Sequence, residues 1–162
     1  MASPAPVASL VRLVGGHPET LARYFSAGRP ADPADLGDAP RGYLLAAARG
    51  GDVFLALRPF LRALSRTSLV WRGKTFDHGG NSGQNVFFGR RMLRFQAEVG
   101  PSRLDGAPAL LLTYDHAAHA NPWPVRTLRG ELRAAGDGMA MGPVLGPRGP
   151  LLWFGLTGRD EG

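Results

Sequence analysis

Arg91-Met92-Leu93-Arg94-Phe95-Gln96-Ala97-Glu98-Val99 is the stretch that decides the fold class. Leu93, Phe95, Ala97 and Val99 alternate with Met92, Arg94, Gln96 and Glu98. A period of two places successive side chains on opposite faces, the pattern of a half-buried strand. Outward from it, strand-like segments recur at Leu69 to Phe76, Asn85 to Gly89, Ala109 to Asp115, Val125 to Arg133, Met139 to Leu145 and Leu151 to Thr157. The gaps carry turn chemistry: Gly79-Gly80, Asp105-Gly106, Gly136-Asp137-Gly138 and Gly146-Pro147. Seven evenly spaced strands with no helix between them predict an antiparallel meander. Closing it into a barrel removes unpaired edges.

Upstream the period changes. Val7, Leu10, Val11 and Val14 stand at helical spacing and predict a helix over Pro6 to Val14, stopped by Gly15-Gly16. Pro18-Glu19-Thr20 opens a second helix that runs through Phe25, with a proline and an acid in its first turn. Gly28 to Arg41, punctuated by Pro30, Pro33 and Pro40, reads as loop. After Asp52, the residues Val53, Leu57, Phe60, Leu61 and Leu64 form one apolar stripe, with Pro59 as a kink or a fresh start. The expected architecture is a single domain over residues 1–162, mainly β within an α+β class. Residues 1–66 form a helical N-terminal part containing the 28–41 loop, and residues 67–158 form an antiparallel barrel of about seven or more strands. The helices are expected to cap one barrel end.

Composition bounds the function. A chain of 162 residues fits one domain. Its 23 glycines and 14 prolines are roughly twice the usual share of about 12%, which argues against a helical bundle. The net charge is +6, and every basic residue except Lys74 is arginine. Those arginines are spread along the chain; Arg90-Arg91 is the one tight pair, so nucleic acid is not the expected partner. Without cysteine there is no disulfide, no thiolate zinc site and no thiol nucleophile. Met1 to Val14 lacks a basic leader pattern, and no run approaches the roughly 18 apolar residues of a membrane span. The expectation is a cytoplasmic protein with no membrane partner. Unpaired edges left by imperfect closure would favour a homodimer.

Trp71-Arg72-Gly73-Lys74-Thr75-Phe76 resembles the W-x-G-K-x-F signature of uncharacterised GXWXG-type proteins with a C-terminal lipocalin-like domain. Pro30, Pro33, Leu36, Gly37, Arg41 and Gly42 resemble the approach to that family's G-x-W-x-G element, although Pro40 stands where the tryptophan belongs. Leu112-Thr113-Tyr114-Asp115 is similar to its strand ending in Y-D. Leu128 to Arg133 with Asp137-Gly138 and Gly142 resembles the next strand and hairpin, with Gly130 in place of an acid, and Trp153-Phe154-Gly155-Leu156 resembles its closing strand. The resemblance spans roughly residues 30 to 158 and implies a lipocalin-like barrel, without implying a reaction.

The densest polar and aromatic segment is Tyr114-Asp115-His116-Ala117-Ala118-His119-Ala120-Asn121-Pro122-Trp123-Pro124, expected as a loop at one barrel end. His116 and His119, three apart, have metal-ligand chemistry, with Asp115 as a neighbouring carboxylate. On a loop that spacing carries no fixed geometry, so solvated histidines are the plainer reading and no metal or cofactor is assigned. Arg126 is expected on the inward face of a strand with Leu128, as an anion clamp or as an ion-pair partner of Asp115 or Glu131. Glu131 is expected in a solvated row with Arg129 and Arg133. Trp71, Phe88, Phe95, Tyr114, Trp123 and Trp153 are the candidates to line an apolar pocket; the bland alternative is that they are core.

Two functions fit these residues. One is a lipocalin-like barrel that binds a hydrophobic or aromatic small molecule. The other is a cofactor-independent isomerase or cyclase on the same scaffold, with Tyr114, His116 and Arg126 as acid, base and anion clamp. The same residues serve either.

Overall fold

The computed structural model describes residues 7–47 and 71–159. The apolar stripe at Val53 to Leu64, and Leu69, lie outside them.

Eight strands close into one barrel in sequence order, each antiparallel to the next, with the last returning to the first. They are β1 (Arg41–Ala47), β2 (Trp71–Phe76), β3 (Ser82–Phe87), β4 (Arg90–Pro101), β5 (Pro108–Thr113), β6 (Arg129–Gly136), β7 (Met139–Gly146) and β8 (Gly149–Thr157). The expected meander is therefore present, with one strand more than the sequence pattern suggested. That strand is β1, at the end of the segment expected to be loop and within the part expected to be helical. Gly42-Tyr43-Leu44-Leu45-Ala46-Ala47 has no alternation and few β-branched residues. It is extended because it pairs along its length with β8, from Arg41↔Thr157 to Ala47↔Leu152. Tertiary pairing overrides a weak local preference here.

Other boundaries moved for identifiable reasons. Residues Val125 and Arg126 are not strand: Trp123–Arg126 is a single helical turn, and β6 starts at Arg129. β4 outruns β3, whose pairing with it stops at Ser82↔Gln96, while pairing with β5 continues to Pro101↔Pro108. Val99 lies in that overhang and is exposed, although its period placed it with Phe95 and Ala97 in the core.

The N-terminal segment is shorter in helix than expected. Leu10–Leu13 is one 3₁₀ turn, capped by the Ser9 hydroxyl, which accepts from the Val11 amide. A rise in steps of three explains which residues are buried: Val7, Leu10 and Leu13 are covered, while Val11 and Val14 face out. Helix α1 (Pro18–Ala27) follows with Leu21 and Phe25 buried one turn apart. Within the 28–41 stretch a second short helix, α2 (Pro33–Leu36), starts at Asp32, whose carboxylate caps the Ala34 amide at 2.9 Å.

These elements create two apolar layers. Inside the barrel, Phe76, Phe95, Leu110, Leu112, Leu132, Phe154 and Leu156 pack together, joined by Leu36 of α2. Outside it, Leu10, Leu13, Leu21 and Phe25 cover Leu45, Leu111, Met141 and Trp153. The 3₁₀ turn and α1 thus shield the outer wall rather than capping an end; Ala31 and Leu36 join the interior cluster, together with Phe76 from the end of β2. No described helix is long and apolar enough to cross a membrane.

Candidate functional site

The W-x-G-K-x-F segment forms β2, and its geometry depends on Gly73. Residues three apart on a regular strand face opposite sides. Here the register slips between Trp71 and Gly73, so Trp71, Lys74 and Phe76 are all buried. Gly73 sits at φ +138°, a region that only glycine occupies freely. A Cβ there would lie 2.2 Å from the Pro40 carbonyl oxygen. Gly42 on β1 then leaves room for the Trp71 ring, which a Cβ would approach to 2.5 Å.

Lys74 is 4% exposed. Its cross-strand partner is Asn85, and its Nζ donates to Asn85 Oδ1 at 2.6 Å and to the Tyr114 hydroxyl at 2.9 Å. Asn85 is fully engaged: Oδ1 also accepts from Trp71 Nε1 at 3.2 Å, and Nδ2 donates to the Tyr114 hydroxyl and the Leu93 carbonyl, both at 3.1 Å. Leu93 lies at the β3–β4 bulge with φ +55°. Four rings surround the ammonium, with centroids at 5.0 Å (Phe95), 5.3 Å (Phe154), 5.7 Å (Tyr114) and 5.8 Å (Trp71). Such contacts return part of the lost hydration. Among the described residues no carboxylate pairs with Lys74.

Lys74, Asn85 and Tyr114 line a cavity at the barrel end where β1, β3, β5 and β7 finish. Its enclosed free volume is about 40 Å³, room for a few water-sized groups, and the cavity is partly open to the outside. The rest of the wall is apolar, with Leu44, Phe87, Leu128, Val144, Leu152 and Phe154 among the lining residues.

The expected pocket aromatics divide. Trp71 and Tyr114 line the cavity. Phe95 is fully buried beside it, edge-on to Tyr114 with centroids 6.0 Å apart. Phe88 is 73% exposed at the β3–β4 turn, with φ +50°, and Trp123 is 64% exposed on its helical turn. Trp153 is buried, but on the outer wall, edge-on to Phe25 at 6.0 Å. Those three stand away from the cavity.

The expected catalytic group is also split. Tyr114 is inside, while His116 and Arg126 are exposed outside it. His116 has a local task instead: its Nδ1 accepts from the Ala118 amide at 3.2 Å and caps a 3₁₀ turn, Ala117–His119. His119 stacks near His116 at 5.0 Å, and burial, reinforced by His116 and Arg94, lowers its pKa. Among the described residues its Nδ1 has no hydrogen-bond partner. No group of three or more His, Asp or Glu suited to a metal occurs among the described residues. Asn121 ties this loop down by donating to the carbonyls of Tyr114 at 3.0 Å and Arg94 at 2.7 Å.

Glu131 does not stand in a solvated row. It is fully buried on the outer wall, accepting from the Ser102 hydroxyl at 2.5 Å, the Arg103 amide at 2.9 Å and Arg129, which also reaches the Pro101 carbonyl. Arg129, not Arg126, is its ion-pair partner.

Sequence reasoning missed Lys74 and Asn85 as site residues. Two signals pointed to Lys74: it is the only lysine of the chain, and it follows a glycine inside a strand, a mark of a bulge that changes which face the next residue takes.

No family model matches the chain, and no curated protein does. Among solved structures, the crystal structure of a protein from Thermomonospora curvata is similar, with a TM-score of 0.59 and 16% identity over 91% of each chain. At that identity the likeness concerns the fold alone.

Proposed function

We propose that this chain is a small-molecule-binding barrel that takes an apolar ligand at the cavity beside Lys74. The observation that carries this reading is a buried polar cluster at the end of an otherwise apolar cavity, the usual composition of a ligand site. The size of the space favours a slender molecule over a bulky aromatic one: the enclosed part, about 40 Å³, is roughly a quarter of a cavity that admits benzene. Kinship with the GXWXG-type proteins belongs to the same proposal, since Trp71, Gly73 and Lys74 of their signature are residues that shape this end of the barrel.

The test is a thermal-shift screen of hydrophobic and aromatic compounds of graded size. A ligand at a hundred times its Kd adds about 2.7 kcal/mol to stability, so slender apolar compounds are expected to raise Tm by several degrees. A broad panel with no shift sinks the reading.

A further inference from the structure

The hydrogen bonds of the cluster leave two donors unused. An ammonium has three N–H groups, and Lys74 spends two of them on Asn85 and Tyr114. The Tyr114 hydroxyl accepts twice, from Lys74 and from Asn85, and no protein acceptor is recorded for its own proton among the described residues. Both groups line the cavity, and their heavy atoms are 2.9 Å apart. Asn85 cannot complete the set, because both its donor hydrogens and its oxygen are already taken.

A buried cation without an anion is costly, and a nearby acid normally neutralises it. Building on the binding role proposed above, we infer that the missing anion belongs to the ligand, and that the site selects apolar molecules ending in a carboxylate. One positive charge and two adjacent donors match the single charge and two oxygens of that group. A phosphate, with more charge and more oxygens, would leave acceptors unsatisfied against apolar walls. The carboxylate sits against Lys74 Nζ and the Tyr114 hydroxyl, and the alkyl remainder runs toward the open end past Leu44, Leu128, Val144 and Leu152. The net charge of +6 favours approach of such an anion.

The test is calorimetric titration of the intact chain with hexanoate and with hexan-1-ol, which share a tail and differ in the head. Hexanoate is expected to bind at least tenfold more tightly. Lys74→Met should erase that preference, and Tyr114→Phe should weaken hexanoate several-fold. Equal affinity for acid and alcohol overturns the carboxylate assignment while the binding role stands. So does an undiminished hexanoate affinity in Lys74→Met. Absence of binding by both probes overturns the assignment, and the screen described above then decides the binding role separately. The acid-to-alcohol contrast in the unmutated chain needs no variant to fold.

Discussion

Two buried cations stand on opposite sides of the barrel wall, and they are treated very differently. Arg133, 1% exposed on the outer wall, has all five donors engaged. Nε donates to Pro108, the two terminal nitrogens reach the Phe25 and Ala107 carbonyls, and both grip Asp105 at 2.6 and 2.7 Å. Its guanidinium also lies 4.2 Å from the Phe25 ring centroid, pinning α1 to β6. Lys74, inside the wall, has aromatic faces and two neutral acceptors but, among the described residues, no carboxylate. A cation with every donor satisfied and an anion in place is a structural part. One held without its anion costs stability in the empty protein and returns it when a negative ligand arrives. The difference separates scaffold from site.

The largest effect is expected at Arg133. Arg133→Met removes five hydrogen bonds, two of them to the partly exposed Asp105, and at about 1 kcal/mol each the loss is about 5 kcal/mol; urea unfolding measures it. Gly73→Ala comes next, at about 3 kcal/mol, because a Cβ at φ +138° meets the Pro40 oxygen and the bulge that turns Trp71 and Lys74 inward is lost. Lys74→Met is the sharp counter-case. Asn85 Oδ1 keeps Trp71, the Tyr114 hydroxyl keeps Asn85, and an apolar chain of similar length replaces an unpaired charge. Stability in the absence of ligand is expected to stay within about 1 kcal/mol of the original or to rise. A loss as large as that of Arg133→Met would mean that Lys74 is scaffold too, and the comparison would collapse.

Acid should act on the outer wall through Asp105. Hydrogen bonds from Arg133 hold the Asp105 carboxyl below the usual carboxylate range. Its folded pKa is depressed, so its contribution is complete above the ordinary carboxylate pKa and disappears as pH falls through the lowered value. Asp105→Asn should flatten that acid limb in a plot of unfolding free energy against pH. The smallest effect belongs to His119, also depressed by burial: stability is full above its ordinary pKa near 6.5 and declines as pH falls through the lowered one. His119→Gln should remove only this shallow slope, leaving the Asp105 limb intact.

The barrel was legible because strand periodicity and turn residues are local signals. Arg91 to Val99, Ala109 to Thr113 and Met139 to Leu145 alternate or run apolar between glycine-marked turns, and each became strand. β1 was not legible, since its leucines and alanines are indifferent until β8 offers a ladder to pair with. The site was half legible. Tyr114 and Trp71 stood out as aromatics near strand ends, but so did Phe88, Trp123 and Trp153, and nothing local tells a cavity wall from a turn tip or an outer face.

The sequence by itself determined the class: many short strands, tight turns, no cysteine chemistry, one lysine. Those follow from the period of two and from backbone preferences that act over a few residues. Only the tertiary structure decided that Lys74 faces inward, that Asn85 and Tyr114 meet it from 11 and 40 residues away, and that Asp105 is spent on Arg133. Facing direction depends on a bulge that exists only once β2 has paired with β3, and charge balance depends on which groups closure of the barrel brings together.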